Sequence, residues 1–176
     1  VLAAIGMVSG GVVQVLAGVR VRAARTGAEL VSWGRLARQA GLLIVASAFV
    51  SLMTGGHLAG AVWTTDERSG FSFPFITLGV LALVLLAPIG PMLGGARLRR
   101  VVAQAAPVED RELPVELRTE ASAPAIWGPI HSLLGGGIGF VALMTYKPGW
   151  VAGAVLLVAT FAIGWAAGVV VARRPA

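Results

Sequence analysis

Read for polarity alone, the chain falls into five long apolar runs separated by short charged stretches. The last two runs set the pattern for the rest. Residues 126–146 and 150–172 carry no charge and are joined only by Lys147-Pro148-Gly149. A hydrocarbon core of about 30 Å takes roughly 20 apolar residues in a helix, so each run can cross it. A hinge this short leaves an antiparallel helical hairpin as the connection.

Three runs upstream fit the same solvent. Residues 1–19 are apolar apart from Ser9 and Gln14. They start without Met and at full hydrophobicity, which points to residues upstream. With no basic start and no small-residue cleavage site, the run reads as a first span rather than a signal peptide. The second run, 40–63, follows a helical lead-in from Glu29 to Gln39, and the third, 74–96, opens with Pro74 in a helical first turn. The predicted fold is all-α: a polytopic transmembrane helical bundle filling residues 1–176 as a single integral membrane domain. Its spans lie at about 1–19, 40–63, 74–96, 126–146 and 150–172.

Small residues mark the packing faces. Gly6 and Gly10 are four apart, as are Gly135 and Gly139, Gly164 and Gly168, and Gly128, Ser132 and Gly136. Such spacings let helix backbones approach closely, inside the bundle or between copies, and the inside is the expectation here. Gln14 is expected to hydrogen-bond between helices. Pro88 and Pro91 are expected to kink or unwind the end of span three. The stretch 94–125 reads as the longest non-membrane segment, with a short surface helix opened by Pro114.

Composition agrees with the pattern. Hydrophobic residues make up 57% and charged residues 12%, with a mean hydropathy of +0.85. Such a chain lies outside the soluble class. The absence of cysteine removes disulfides, thiolate metal sites and thiol nucleophiles together. The net charge of +6 belongs to arginines beside the spans rather than to a nucleic-acid surface. Twelve arginines fall in the loops after spans one and three, in the lead-in to span two and in the C-terminal tail. Only Arg68 and Lys147 fall on the other side. The positive-inside rule then predicts the N-terminus outside and the C-terminus inside.

Little chemistry is on offer. No nucleophile elbow, phosphate-binding loop or His pair at metal-ligand spacing is present, and every carboxylate lies outside the predicted spans. Two histidines remain. His57 continues a weakly polar series of Ser47, Ser51 and Thr54 at steps of four, three and three, and is expected to point into the bundle. It is either a ligand for a cofactor or metal ion, or a neutral histidine bonded to a helix neighbour. His131, beside Pro129 and Ser132 at a helix start, reads as structural. Their depths differ by about 13 Å, which argues against a shared ligand. Lys147 is either an interfacial anchor between Tyr146 and Trp150 or a cation beside His57 at the outer rim.

The segments Leu113-Pro114-Val115-Glu116-Leu117-Arg118 and Met144-Thr145-Tyr146-Lys147-Pro148-Gly149, with the basic break after span one, carry a resemblance. The chain resembles the bacterial inner-membrane proteins grouped as domain of unknown function 2269. That group is distantly similar to the membrane domain of copper-resistance protein D and to the haem-containing membrane protoporphyrinogen oxidases. The resemblance implies a multi-pass plasma-membrane bundle and a haem b or copper ion held by intramembrane histidine. No catalytic position of those relatives is matched residue for residue.

Three functions stay open. The first is a non-catalytic membrane subunit or scaffold that meets a membrane protein or a second copy through glycine-rich faces. The second is a haem- or metal-binding redox protein with His57 as its ligand and Lys147 beside it, in the outer half. The third is a small-solute transporter, supported by the broken third helix.

Overall fold

The computed structural model describes residues 1–174. Its helices are α1 (Leu2–Ala23), α2 (Gly27–Ala61), α3 (Pro74–Leu81), α4 (Ala96–Ala105), α5 (Val115–Ala121), α6 (Pro124–Tyr146) and α7 (Trp150–Arg173). Five rods are long and apolar enough to cross a membrane, as the polarity pattern predicts. α3 and α4 are the two ends of one of them, Pro74–Val108.

Local chemistry sets the boundaries. Thr26 caps α2 by accepting from the Glu29 N–H, while the Glu29 carboxylate accepts from the Arg25 N–H at 2.8 Å. Two orphan amides at one helix start are thus satisfied. At 35 residues α2 is about 52 Å long, so the expected lead-in and span two form one unbroken helix. Pro114 precedes the short helix α5, again as expected.

The helix of the third run outlasts its apolar stretch. It does not stop near residue 96 but runs on through Arg97, Arg99 and Arg100 to Val108. Leu98, Val101 and Ala105 recur at helical spacing and are buried, and α4 packs against α2, with the arginines turned outward. Pro88 and Pro91 widen the helix rather than end it. The backbone adopts π turns at Ala82–Leu86 and Gly90–Gly95, and the Ala87 N–H reaches back five residues to the Ala82 carbonyl at 3.2 Å.

Two helical hairpins, α1–α2 and α6–α7, meet through α1 and α6, and the third rod packs against α6 and α2. Glycines make these approaches close. A methyl on Gly164 would lie 2.7 Å from the His131 carbonyl oxygen and 3.1 Å from Ser132 Cα. Gly135, Gly139 and Gly168 press on Thr160, Gly164, Trp127 and Gly128 in the same hairpin, and Gly10 presses on the Ala40 carbonyl. The expectation that these glycines pack inside the bundle holds.

The ends of the bundle differ in character. At one end Arg22 donates to the Val171 carbonyl, Leu113 N–H to the Arg25 carbonyl at 2.8 Å, and Arg97 to the Ala125 carbonyl at 3.3 Å. The arginine-bearing segments therefore gather together around a core of Leu30, Val101, Ile126 and Trp127. The opposite end is closed by Trp63, Phe73 and Phe75, whose rings lie 5.2–6.1 Å apart.

Candidate functional site

His57 does not point into the bundle. It is exposed on α2, and only Ala59 is buried on that helix beyond Ala48. The steps of four, three and three explain the misreading. At 100° per residue they leave His57 about 80° behind Ser47, while the buried face centred near Ala40, Ile44 and Ala48 lies ahead of it. Ser47 is buried, Ser51 partly so, and Thr54 and His57 exposed.

Lys147 ends α6 in the left-handed conformation, at φ 49°, and is exposed. Its Nζ lies 4.8 Å from the centre of the Trp63 ring and 5.7 Å from that of Phe75. The ammonium is thus engaged by two aromatic faces, those of Trp63 and Phe75 rather than of its neighbours Tyr146 and Trp150. Among the described residues no three His, Asp or Glu side chains gather at metal-binding range.

The buried histidine is His131. Its Nδ1 lies 2.9 Å from the Trp127 carbonyl one turn earlier, its ring meets the Trp127 indole edge-on, and Nε2 is buried without a partner. Trp127 is fully buried and donates from Nε1 to the Ala121 carbonyl at 2.7 Å, fixing the end of α5. Arg22 lies over the Trp127 ring at 5.6 Å and bonds the Gly18 and Val171 carbonyls. This chain of contacts ties α1, α5, α6 and α7 into one unit. Apart from His131 Nε2, the buried side-chain nitrogens of this unit engage backbone carbonyls, which satisfies them where water is excluded.

Sequence reasoning missed two features. The first is a cleft of about 490 Å³ between the arginine-rich half of α2 and the third rod, with Gln14 of α1 among its lining residues. Arg35, Arg38 and Arg99 line it, and its apolar lining includes Leu42, Val45, Leu98 and Val102. Gln14 Nε2 donates to the Ala37 carbonyl at 3.2 Å, as expected of an interhelical tie, while its Oε1 is buried and unpaired. No single run encodes such a cleft, because it depends on which residues of three helices face one another.

The second is a face on the far half of α2. Phe49, Met53, Gly56 and Gly60 advance by four, three and four and lie on one side of the helix. Phe49 and Met53 are 62% and 52% exposed. A methyl added at Gly56 or Gly60 would meet nothing within 4 Å. The Gly56-x-x-x-Gly60 spacing was readable in the sequence.

Comparison with family models, curated proteins and solved structures yields no match to this chain.

Proposed function

We propose that the protein is a non-catalytic membrane subunit, a helical bundle that docks onto another transmembrane helix through the far half of α2. The observation that carries this reading is the contrast between its glycines. Those of the α6–α7 hairpin are filled by a neighbouring helix, whereas Gly56 and Gly60, at the same spacing, face open space beside exposed Phe49 and Met53. In a bilayer, small residues four apart favour close contact with a second helix.

The buried polar side chains support the same reading. Gln14, Arg22, His131 and Ser132 all bond backbone carbonyls, so they serve the fold. The arginine asymmetry supports an orientation with the N-terminus outside and the C-terminus inside.

The chain has no cysteine, so single cysteines at positions 53, 56 and 60 can be cross-linked in native membranes. A heavier adduct at 56 and 60, with a second copy or with another subunit, is expected. Leucine at both glycines should abolish an adduct formed through position 53. Monomer alone at every position on this face would defeat the subunit reading.

A further inference from the structure

The cleft between α2 and the third rod is amphipathic along its length. Arg35 and Arg38 stand just before the apolar part of α2, and Arg99 just after the apolar part of the third rod. These three exposed arginines therefore lie at the level where the polar boundary of the bilayer meets the bundle. Leu42, Val45 and Pro91 also line the cleft, and each lies further along its helix into the apolar runs. About 490 Å³ is enough to bury a sizeable part of a small amphiphile.

Charge makes the site selective. The one ion pair among the described residues is Arg118 with Glu112, so none of the three cleft arginines is paired with a carboxylate. Glu109 shares a separate shallow depression with Arg35 and makes no ion pair there. Guanidinium groups match phosphate oxygens in planar, bidentate geometry. Basic pockets between membrane helices at the positively charged side bind anionic lipid headgroups for this reason.

We propose that this cleft seats an anionic phospholipid. Its phosphate lies on Arg35, Arg38 and Arg99, and one acyl chain runs past Leu42 and Val45 toward Pro91. The occupant is a lipid rather than a free phosphate because the cleft continues into apolar lining below the arginines. A soluble anion would leave that lining empty.

The test is native mass spectrometry of the full chain released from detergent, after incubation with phosphatidylglycerol or phosphatidylcholine. One phosphatidylglycerol per chain is expected to survive, with phosphatidylcholine lost. At roughly 1 kcal/mol, or about fivefold, per arginine, Arg35→Gln, Arg38→Gln and Arg99→Gln together should weaken retention about a hundredfold. Arg25→Gln, Arg111→Gln and Arg173→Gln remove the same charge elsewhere and should leave retention intact. Val45→Trp should block the chain and release the lipid without touching the arginines. Melting temperatures like the parent's are expected for all variants, since every substituted side chain is exposed. Equal loss in both arginine sets, or unchanged retention in the cleft set, would overturn the site. Displacement by glycerol phosphate at the lipid's own concentration would overturn the lipid assignment in favour of a soluble phosphate.

Discussion

The Lys147 ammonium lies 4.8 Å from the centre of the Trp63 ring, and this contact joins the α6–α7 hinge to the far end of α2. Lys147 also holds the left-handed backbone that ends α6. The two properties oppose each other. A left-handed non-glycine residue costs roughly 1 kcal/mol, while an exposed cation–π contact returns about 0.5–1 kcal/mol. Lys147→Met keeps the strain and loses the contact, so it should lower stability by about 1 kcal/mol. Lys147→Gly loses both and should stay close to the parent. Unfolding in detergent, followed by circular dichroism, separates them. A Gly variant weaker than the Met variant would show that the ring contact is not what matters.

The glycines give predictions of opposite sign. Gly164→Ala places a methyl against the His131 carbonyl and Ser132 Cα, backbone atoms that cannot move aside as a side chain can. It should destabilise by about 1–3 kcal/mol despite the better helix propensity of alanine. Gly55→Ala meets nothing and should stabilise by up to about 1 kcal/mol. Equal melting temperatures for the two variants would break the packing argument.

The histidines should separate in the same assay. His131→Ala removes a buried ring from Trp127 and its bond to the Trp127 carbonyl, and should lower stability by about 1–3 kcal/mol. His57→Ala removes an exposed ring and should leave the melting temperature unchanged. A loss at His57 with none at His131 would reverse the burial described above.

The five spans were legible because each is a property of one continuous run: enough apolar length, ended by charge, proline or glycine. Features that depend on a helix face were less legible. The arginines after residue 96 hid the continuation of the third helix, yet Leu98, Val101 and Ala105 already carried a helical apolar spacing between them. His57 leaves the stripe because steps of four, three and three add up to a rotation of about 80° away from Ser47. The cleft was not legible at all, since Arg35 and Arg99 are 64 positions apart in sequence and come to line one cleft only through the packing of α2 against the third rod.

Orientation across the membrane can be read by labelling engineered cysteines in intact cells. Positions 25 and 110 lie at the arginine-rich end and are exposed, and positions 68 and 149 are exposed in the opposite connections. An impermeant thiol reagent should label 68 and 149 from outside and reach 25 and 110 only after lysis. Any other grouping contradicts the topology, and a clean reversal contradicts only the proposed direction.

Pro129 sits inside α6 and has no N–H, so the Ala125 carbonyl four residues earlier lacks its helical partner. Arg97 supplies the missing donor, its guanidinium reaching Ala125 at 3.3 Å from the third rod. The proline thereby opens a docking point for a neighbouring helix, and the two residues should be coupled. Arg97→Gln in the parent should lower stability by about 0.5–1.5 kcal/mol, the net worth of one such bond. Pro129→Ala restores a local N–H to Ala125 and makes the guanidinium dispensable there. In that background Arg97→Gln should have little effect, and the double-mutant cycle should return a coupling near the value of the single loss. Additive losses would mean that Arg97 acts elsewhere and that the free carbonyl at Ala125 is satisfied without it.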